Sequence, residues 1–277
     1  MGKLRILKAG PITTVQDFGR FSYRRYGIPQ SGAMDKESMI AANRFVGNPE
    51  DHPVIEYAIT GMTLTVEEAT VVSVIGAPVT VNHKQVSSMI IDLKEGDLLE
   101  ISGPFYNYAY LAIGGLLTAQ KDFGSYSTYV RAGFGGIEGR VLRKGDVLMT
   151  KEEAVGSREV EVPSRGSEGL AEIRIMKGPE WGVLKELPSS KPFKIDPSSD
   201  RMGIRLAGEK LEANFREITS SAVVPGTIQL PPDGQPIVLM NDCQTTGGYP
   251  RIGKVLDEDL GRLAQIKPGK LILLTFI

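Results

Sequence analysis

Polar side chains that could bind a small anion or an amide are concentrated in four segments: residues 13–35, 133–140, 199–205 and 241–251. The first leads into a predicted helix start, where free backbone N–H groups favour an anion. The fourth carries the richest set of donors and acceptors, on a loop that follows a strand, where binding groups are common. The candidate residues are Gln16, Asp17, Arg20, Ser31, Asp35, Arg140, Arg201, Asp242, Gln244, Thr245, Thr246, Tyr249 and Arg251.

The first three segments also have a purely structural interpretation. The first fits turns followed by a helix N-cap at Asp35. In the second, Glu138 stands where a dinucleotide-binding loop needs its third glycine, and no Lys-Ser or Lys-Thr follows. A β-bulge or tight hairpin is therefore favoured there. In the third, Arg201 suits a solvated strand edge as well as a contact to carboxylate or phosphate.

The composition argues against several classes of protein. With Cys243 as the single cysteine, neither an internal disulfide nor a Cys-cluster zinc site can form. No His or Lys lies near Cys243 in the sequence, so Cys243 is predicted to be a small buried residue rather than a nucleophile. No G-x-S-x-G elbow occurs, which argues against a Ser-His-Asp hydrolase. The net charge of −1 argues against a nucleic-acid or membrane partner. Charges interrupt the N-terminal apolar stretch, so we expect a cytoplasmic protein.

The elements that position these residues are predicted to be mainly strands. The 277 residues include 32 Gly and 17 Pro, with short, often β-branched apolar stretches between turn residues. This pattern is typical of β-barrels and sandwiches. Helices are predicted from a cap at Asp35 to about Val46, from a cap at Asp257, and from Pro179. Two β-rich domains, residues 1–160 and 161–277, are predicted on either side of a boundary in the polar stretch 151–168.

Six segments resemble the allophanate-hydrolase-subunit-2 family, also called the biotin-dependent carboxyltransferase family. The resemblance runs in order over nearly the whole chain. It departs from the family at Ser22, where a glycine is usual, and at Cys243, where the family often has Arg. The matching segments are residues 13–20, 31–35, 133–140, 200–206, 226–237 and 244–250.

The resemblance implies two tandem cyclophilin-like β-barrel domains with a few short helices. It also implies a subunit of an ATP-dependent 5-oxoprolinase, which opens 5-oxoproline to glutamate. The implied partners are an allophanate-hydrolase-subunit-1-like protein, which is the B component of 5-oxoprolinase, and the A component. The implied cofactors of the complex are ATP and Mg²⁺.

Two alternatives stay open under the resemblance. One is the carboxyltransferase component of a urea carboxylase, which would involve biotin. The other is a non-catalytic antagonist of a kinase inhibitor. The sequence lacks an Ala-Met-Lys-Met biotinylation site, because Asp35 follows its Ala33-Met34 pair. The 5-oxoprolinase is therefore favoured.

The activity implied by the resemblance assigns expected roles to the candidates. Phosphoryl transfer from ATP to the lactam oxygen would make a resonance-stabilised amide carbon electrophilic, and it needs cations and N–H donors. We expect the side chains to converge on one pocket, and we expect Arg20→Ala or Gln244→Ala to abolish activity with the fold intact. The expected catalytic residues are Gln16, Asp17, Arg20, Asp35 and Gln244, and the expected substrate-binding residues are Ser31, Arg140, Arg201, Thr245, Thr246, Tyr249 and Arg251.

The chemistry of the candidate side chains suggests which part of the substrate or cofactor each would contact. The four arginines suit anions, whereas the carboxamide, hydroxyl and phenol groups of Gln16, Gln244, Thr245 and Tyr249 suit a planar amide. Asp17, Asp35 and Asp242 are candidates for proton transfer or for contact with Mg²⁺, without an assigned metal site.

Overall fold

The computed structural model describes residues 2–151, 161–163, 170–185, 192–214 and 218–277. The chain forms two compact units, Met1–Arg20 with Ser31–Ser164 and Phe21–Gln30 with Arg165–Ile277. The early segment Phe21–Gln30 thus groups with the second unit, whereas the sequence-based division places it in the first. Most of the stretch in which the sequence places the boundary lies outside the described residues, so the limits at 160 and 161 stay a prediction.

The first unit contains two antiparallel sheets and one helix, α1 (Lys36–Phe45). Its strands are β1 (Lys3–Lys8), β2 (Ile12–Gln16), β3 (Val54–Ala58), β4 (Met62–Glu68), β5 (Thr70–Ile75), β6 (Val79–Val81), β7 (Lys84–Val86), β8 (Ile91–Leu93), β9 (Leu98–Ile101), β10 (Tyr108–Ile113), β11 (Leu116–Leu117) and β12 (Val147–Lys151). Within the described residues, one sheet has the order β11-β12-β1-β4-β9-β6-β7 and the other β2-β3-β10-β5-β8.

The core of the first unit follows from the residue pattern of these strands. Along β4, buried Met62, Leu64 and Val66 alternate with half-buried threonines, the period expected of a sheet with one face in the core. By contrast, β10 is buried along its whole length and lies between β3 and β5. The polar side chains carried by central strands are therefore buried as well.

Helix α1 begins and ends close to where the sequence predicts. The Asp35 carboxylate accepts hydrogen bonds from the Ser38 N–H at 3.3 Å and the Ser38 hydroxyl at 2.6 Å. This is the N-cap interaction that satisfies an otherwise unpaired donor of the first turn. Gly47, with φ of 75°, follows the last turn in the left-handed region that glycine tolerates best.

The second unit is a closed barrel with the strand order β13-β20-β17-β18-β15-β14-β21, accompanied by the two-stranded sheet β16-β19. The pair β13-β21 is parallel, whereas the other barrel pairs are antiparallel. In the order above, the ranges are β13 (Ala171–Lys177), β20 (Arg251–Val255), β17 (Thr227–Gln229), β18 (Ile237–Leu239), β15 (Gly203–Ala207), β14 (Pro192–Ile195), β21 (Leu271–Phe276), β16 (Ser221–Ala222) and β19 (Thr246–Gly247).

The helices of the second unit differ in detail from the prediction. Asp257 is the first residue of α2 (Asp257–Ala264) rather than its cap, which is Leu256. As far as residue 185, where the described range ends, the helix predicted from Pro179 is a 3-10 turn, Trp181–Val183. Another 3-10 turn spans Arg24–Tyr26. The mainly β prediction is confirmed, with a closed barrel in the second unit and two sheets in the first. In the described ranges, no helix combines the length and the apolar composition needed to cross a membrane.

We predict that Gly61→Ala destabilises the first unit. A Cβ at position 61 would overlap the backbone carbonyl of Ile101 in β9, which cannot move without disturbing its pairing with β4. We expect the free energy of unfolding, measured by urea denaturation, to fall by about 1–3 kcal/mol. Gly182→Ala is the control, because nothing lies within 4 Å of that Cβ position. Equal effects of the two substitutions would contradict the prediction.

Candidate functional site

Asp17, directly after β2, organises a buried loop of the first unit. Its carboxylate accepts hydrogen bonds from the Gly19 N–H at 2.8 Å, the Tyr126 N–H at 2.7 Å and the Ser125 hydroxyl at 2.6 Å. The Ser127 hydroxyl also donates to it, and the Asp17 side chain is only 6% exposed. Asp17 therefore ties two loops together.

Arg20 brings the first and second polar segments into contact. Its side chain is 1% exposed, its Nη2 donates to the Ser127 carbonyl, and its guanidinium carbon lies 4.7 Å from the centroid of the Phe134 ring. Gly135 passes so close that a Cβ there would lie 2.6 Å from Nη2. Arg20→Ala would remove these buried contacts, so we expect a cost in stability as well, and an intact fold after this substitution stays a prediction.

Gln16 and Ser31 are also fully buried in the first unit. The Gln16 amide nitrogen donates to the Thr14 hydroxyl at 3.0 Å and to the Thr128 carbonyl at 3.2 Å. Ser31 has a φ of 55°, and its hydroxyl has no hydrogen-bond partner among the described residues. Left-handed backbone is uncommon outside glycine, so Ser31 occupies a strained position.

A buried polar network holds the start of α1 against the five-stranded sheet. The Tyr110 hydroxyl donates to Glu56 at 2.8 Å and accepts the Asp35 N–H at 2.8 Å. Glu56 also accepts the Met34 N–H at 2.7 Å. Burial, reinforced by the nearby Glu56 and Asp35 carboxylates, raises the pKa of Tyr110 far above its usual range, so its hydroxyl stays protonated and can donate.

Arg140 of the second segment forms ion pairs with two neighbouring carboxylates, those of Glu138 and Asp146. Its Nη1 and Nη2 donate to Asp146 at 2.7 and 2.9 Å, and its Nε donates to Glu138 at 2.8 Å. The hydrogen bonds to Asp146 raise the pKa of Arg140. Burial favours protonation of Asp146, but Arg140 and the Arg143 N–H together hold the Asp146 pKa below its usual range. The anion-binding role of Arg140 stays a prediction.

Two arginines of the second unit are likewise paired with carboxylates. Arg201 donates to Asp242 through Nε at 2.8 Å and Nη2 at 3.2 Å, which joins the third segment to the fourth. Arg251 donates to Glu180 through Nε at 2.8 Å and Nη2 at 2.7 Å. Arginine–carboxylate pairs joined by two hydrogen bonds are stronger than those joined by one. These two pairs fix both ends of the loop 241–251. Contact of either arginine with substrate stays a prediction.

The side-chain amides of Gln244, in this loop, and Gln229, on β17, are in contact. Gln244, an exposed residue, donates from Nε2 to the Oε1 of Gln229, which is 3% exposed on β17, at 3.2 Å. The Gln229 Nε2 lies 3.5 Å from the Tyr249 carbonyl oxygen. Gly247 leaves room for this arrangement, since a Cβ there would overlap Gln229 Nε2. The pair uses one Nε2 hydrogen of Gln244 and leaves its Oε1 outside the contact.

The backbone around Gln244 is held by several contacts of the second unit. Strand β16 pairs with β19, so that Ala222 lies opposite the predicted site residue Thr246. The Val223 N–H donates to the Thr245 carbonyl at 3.1 Å. Arg24 donates from Nη2 to the Gln244 carbonyl at 2.9 Å and also to the Val223 carbonyl. Gln244 therefore projects from a fixed backbone.

Cys243 is fully buried beside Gln244, as predicted. Burial raises the pKa of its thiol more strongly than the nearby Arg24 lowers it. The thiol is therefore neutral near pH 7, which does not suit a nucleophile.

The three aspartates considered as contacts for Mg²⁺ each have partners within the protein. In the described part of the chain, no group of three or more His, Cys, Asp or Glu side chains is placed to hold a metal ion. Asp17 is surrounded by hydrogen-bond donors, Asp35 caps α1, and Asp242 pairs with Arg201. The magnesium and proton-transfer roles suggested for these carboxylates stay predictions.

The chain matches the sequence model of a known protein family. The carboxyltransferase domain family, subdomain A and B, matches residues 26–275. The chain belongs to this family. The resemblance to the carboxyltransferase family is thereby confirmed, and the matched range contains five of the six segments, all except residues 13–20.

Carboxyltransferase-domain relatives include two proteins named as the C subunit of 5-oxoprolinase. The Haemophilus influenzae protein is 38% identical over 287 residues, and the Escherichia coli protein is 35% identical over 279 residues. Each match covers 96% of this chain and 89% of the relative. The K. lactis urea amidolyase crystal structure matches with a TM-score of 0.91 and 28% identity, over 99% of this chain and 19% of that one. The chain thus spans about a fifth of the urea amidolyase.

Sequence reasoning missed several residues that shape the two polar clusters. Glu56 had a detectable signal, since it is a charge inside the apolar strand Val54–Ala58. Gln229 lay within a matching family segment, between apolar neighbours. Tyr110 stands among apolar residues of a strand-length stretch, which gives no local signal of a polar role. The contacts of Arg24 and Glu180 join residues far apart in the sequence.

We predict that Tyr110→Phe is more destabilising than Tyr57→Phe. Losing the Tyr110 hydroxyl leaves the Asp35 N–H without its acceptor and removes one donor from buried Glu56. We expect the free energy of unfolding to fall by about 1–3 kcal/mol. The Tyr57 hydroxyl makes only a 3.4 Å contact to the Ser102 carbonyl, so its loss should have a smaller effect. Chemical denaturation of both variants measures the difference, and a larger loss for Tyr57→Phe would refute the network.

We predict that the Arg251–Glu180 pair makes stability depend on pH. Hydrogen bonds from Arg251 lower the pKa of Glu180 below its ordinary 4.5. The pair therefore stabilises the folded state above pH 4.5, and this contribution disappears as the pH falls through the lowered pKa. Unfolding curves of wild type and Glu180→Gln should differ most near neutral pH and converge in acid. A constant difference across this range would contradict the prediction.

Proposed function

We propose that the chain is one component of an ATP-dependent 5-oxoprolinase that opens 5-oxoproline to glutamate. It acts with a subunit-1-like protein, the B component, and with the A component of that enzyme. The observation that carries this proposal is the similarity to two proteins named as the C subunit of 5-oxoprolinase, at 38% and 35% identity over 89% of their length. A cytoplasmic location is part of the proposal.

The Gln244–Gln229 pair is the part of the described chain whose chemistry best suits a lactam. A lactam presents its N–H and C=O on the same edge, because the ring holds the amide in the cis form. A carboxamide offers a matching acceptor and donor side by side. Gln244 is exposed and buried Gln229 orients it, so the pair combines access with a fixed geometry. The catalytic assignment of Gln244 is retained in the proposal on this ground.

The nucleotide chemistry is assigned to the complex. Among the described residues, no three His, Cys, Asp or Glu side chains are grouped to hold a metal ion. The proposal therefore places ATP and Mg²⁺ in the assembly without naming ligands from this chain. Gln16, Asp17, Arg20, Ser31 and Asp35 are buried in the first unit, where Asp17 and Arg20 hold loops and Asp35 caps α1. Their proposed contribution is to keep that framework rigid.

A second candidate function is the carboxyltransferase component of a urea carboxylase-type system, with biotin as the carboxyl carrier. The TM-score of 0.91 with the K. lactis urea amidolyase supports this candidate. Urea is also a planar amide, so the carboxamide pair alone does not separate the two substrates. A third candidate, a non-catalytic antagonist of a kinase inhibitor, would associate with its partner without turnover of either compound.

The reconstituted three-component complex tests these candidates. ATP hydrolysis that rises with added 5-oxoproline, together with release of glutamate, supports the 5-oxoprolinase. Carboxyl transfer to urea from a carboxylated biotin carrier supports the second candidate instead. Tight assembly without either reaction supports the third and contradicts the first.

We predict that Gln244→Ala lowers 5-oxoproline-dependent ATP hydrolysis by the complex about tenfold or more, as expected when an oriented hydrogen-bonding group is lost from a reacting site. The fold should stay intact because Gln244 is exposed. Gln85→Ala, which removes an exposed glutamine from β7 in the first unit, is the matched control. Unchanged turnover in the Gln244 variant would remove this residue from the site.

A further inference from the structure

Arg24 differs from three other arginines of the second unit in its partners. Arg174, Arg201 and Arg251 each donate two hydrogen bonds to one carboxylate. Arg24 instead donates to backbone carbonyls, and no carboxylate of the described chain forms an ion pair with it. The hydrogen-bond acceptors of the Arg24 guanidinium are thus uncharged backbone carbonyls.

The surroundings of Arg24 contain anionic candidates, but each is accounted for. Cys243 Sγ lies 3.8 Å from Arg24 Nη2, and burial raises the pKa of that thiol, so it stays neutral. Asp242, the next carboxylate along the chain, is engaged at two points by Arg201. The Nη1 of Arg24 is buried and has no hydrogen-bond partner among the described residues.

A half-buried guanidinium without a counter-ion is unfavourable, because its desolvation is not offset by a nearby negative charge. A bound anion would supply that charge and accept hydrogen bonds from the remaining donors. Arg24 is also placed where such an anion would matter, since its Nη2 contacts the carbonyl of Gln244, whose side chain forms the carboxamide pair.

We propose that Arg24 binds the carboxylate of the substrate while the Gln244–Gln229 pair contacts its amide. The ligand class is therefore a small cyclic amide that carries a carboxylate. This inference rests on the proposed function and sharpens it, because 5-oxoproline has both groups whereas urea lacks the carboxylate. It also assigns anion recognition to an arginine outside the candidates identified from the sequence.

The test compares 5-oxoproline with 2-pyrrolidinone, which has the same lactam ring without the carboxylate. Dissociation constants are measured by calorimetry on the reconstituted complex in the absence of ATP. Wild type should bind 5-oxoproline about tenfold or more tightly than 2-pyrrolidinone, the effect expected of a hydrogen-bonded charge pair. Arg24→Met should abolish this preference, so that the dissociation constants of the two ligands become similar. Arg24→Lys, which keeps the charge without the planar fork, should retain part of it.

Two further variants separate recognition from folding. Arg24→Gln keeps an N–H donor for the Gln244 carbonyl and removes the charge, so it decides the question if the Met variant is misfolded by circular dichroism. Arg205→Met removes an equivalent charge from an exposed position on β15 and should leave both dissociation constants unchanged.

The possible outcomes are distinguishable. Equal weakening of both ligands in the Arg24 variants would show that Arg24 only holds the backbone, which overturns the proposal. A carboxylate preference that survives in folded Arg24→Met or Arg24→Gln, or wild type that binds neither ligand, also overturns it. Carboxylate-selective binding that depends on Arg24, without turnover of 5-oxoproline, would support the Arg24 assignment and contradict the proposed function.

Discussion

The polar segments of this protein keep their shape because buried side chains satisfy the backbone groups that strand ends leave unpaired. Asp17 collects donors from two loops, and Tyr110 with Glu56 holds the residues before α1. An unsatisfied polar group in the interior costs free energy, so each such contact restricts a loop to one arrangement. Removing one member therefore affects the loop as well as the side chain.

This constraint changes the meaning of the candidate residues. Those of the first unit, such as Gln16 and Arg20, are buried and already engaged, which is the environment of a framework. In the second unit, Arg201 and Arg251 pair with carboxylates and hold a loop from which exposed Gln244 projects. Gln244 is thus the candidate best placed to contact a ligand. Arg201 and Arg251, whose residue types also suit ligand binding, instead support its loop.

Caps and apolar stretches in the sequence predicted helices and strands well where neighbouring residues alone determine the element. Asp35 caps α1 as expected, and strands such as β10 coincide with the short apolar stretches from which strands are predicted. Prediction was weaker where capping competes with turns, as at Asp257, which begins α2 without capping it. Within the described residues 170–185, the stretch from Pro179 forms a 3-10 turn, Trp181–Val183, since a proline favours a helix start without sustaining the turns that follow.

The sequence by itself determined the mainly β architecture, the family and the segments that carry polar chemistry, because strand periodicity, turn residues and motifs are local properties of the chain. Only the tertiary structure decided which charged groups are neutralised. The pairs Arg140–Asp146, Arg201–Asp242 and Arg251–Glu180, and the neutral surroundings of Arg24, depend on distances between atoms. A charge has the same appearance in a sequence whether or not an opposite charge lies about 3 Å away, and that distance decides whether it is available to a ligand.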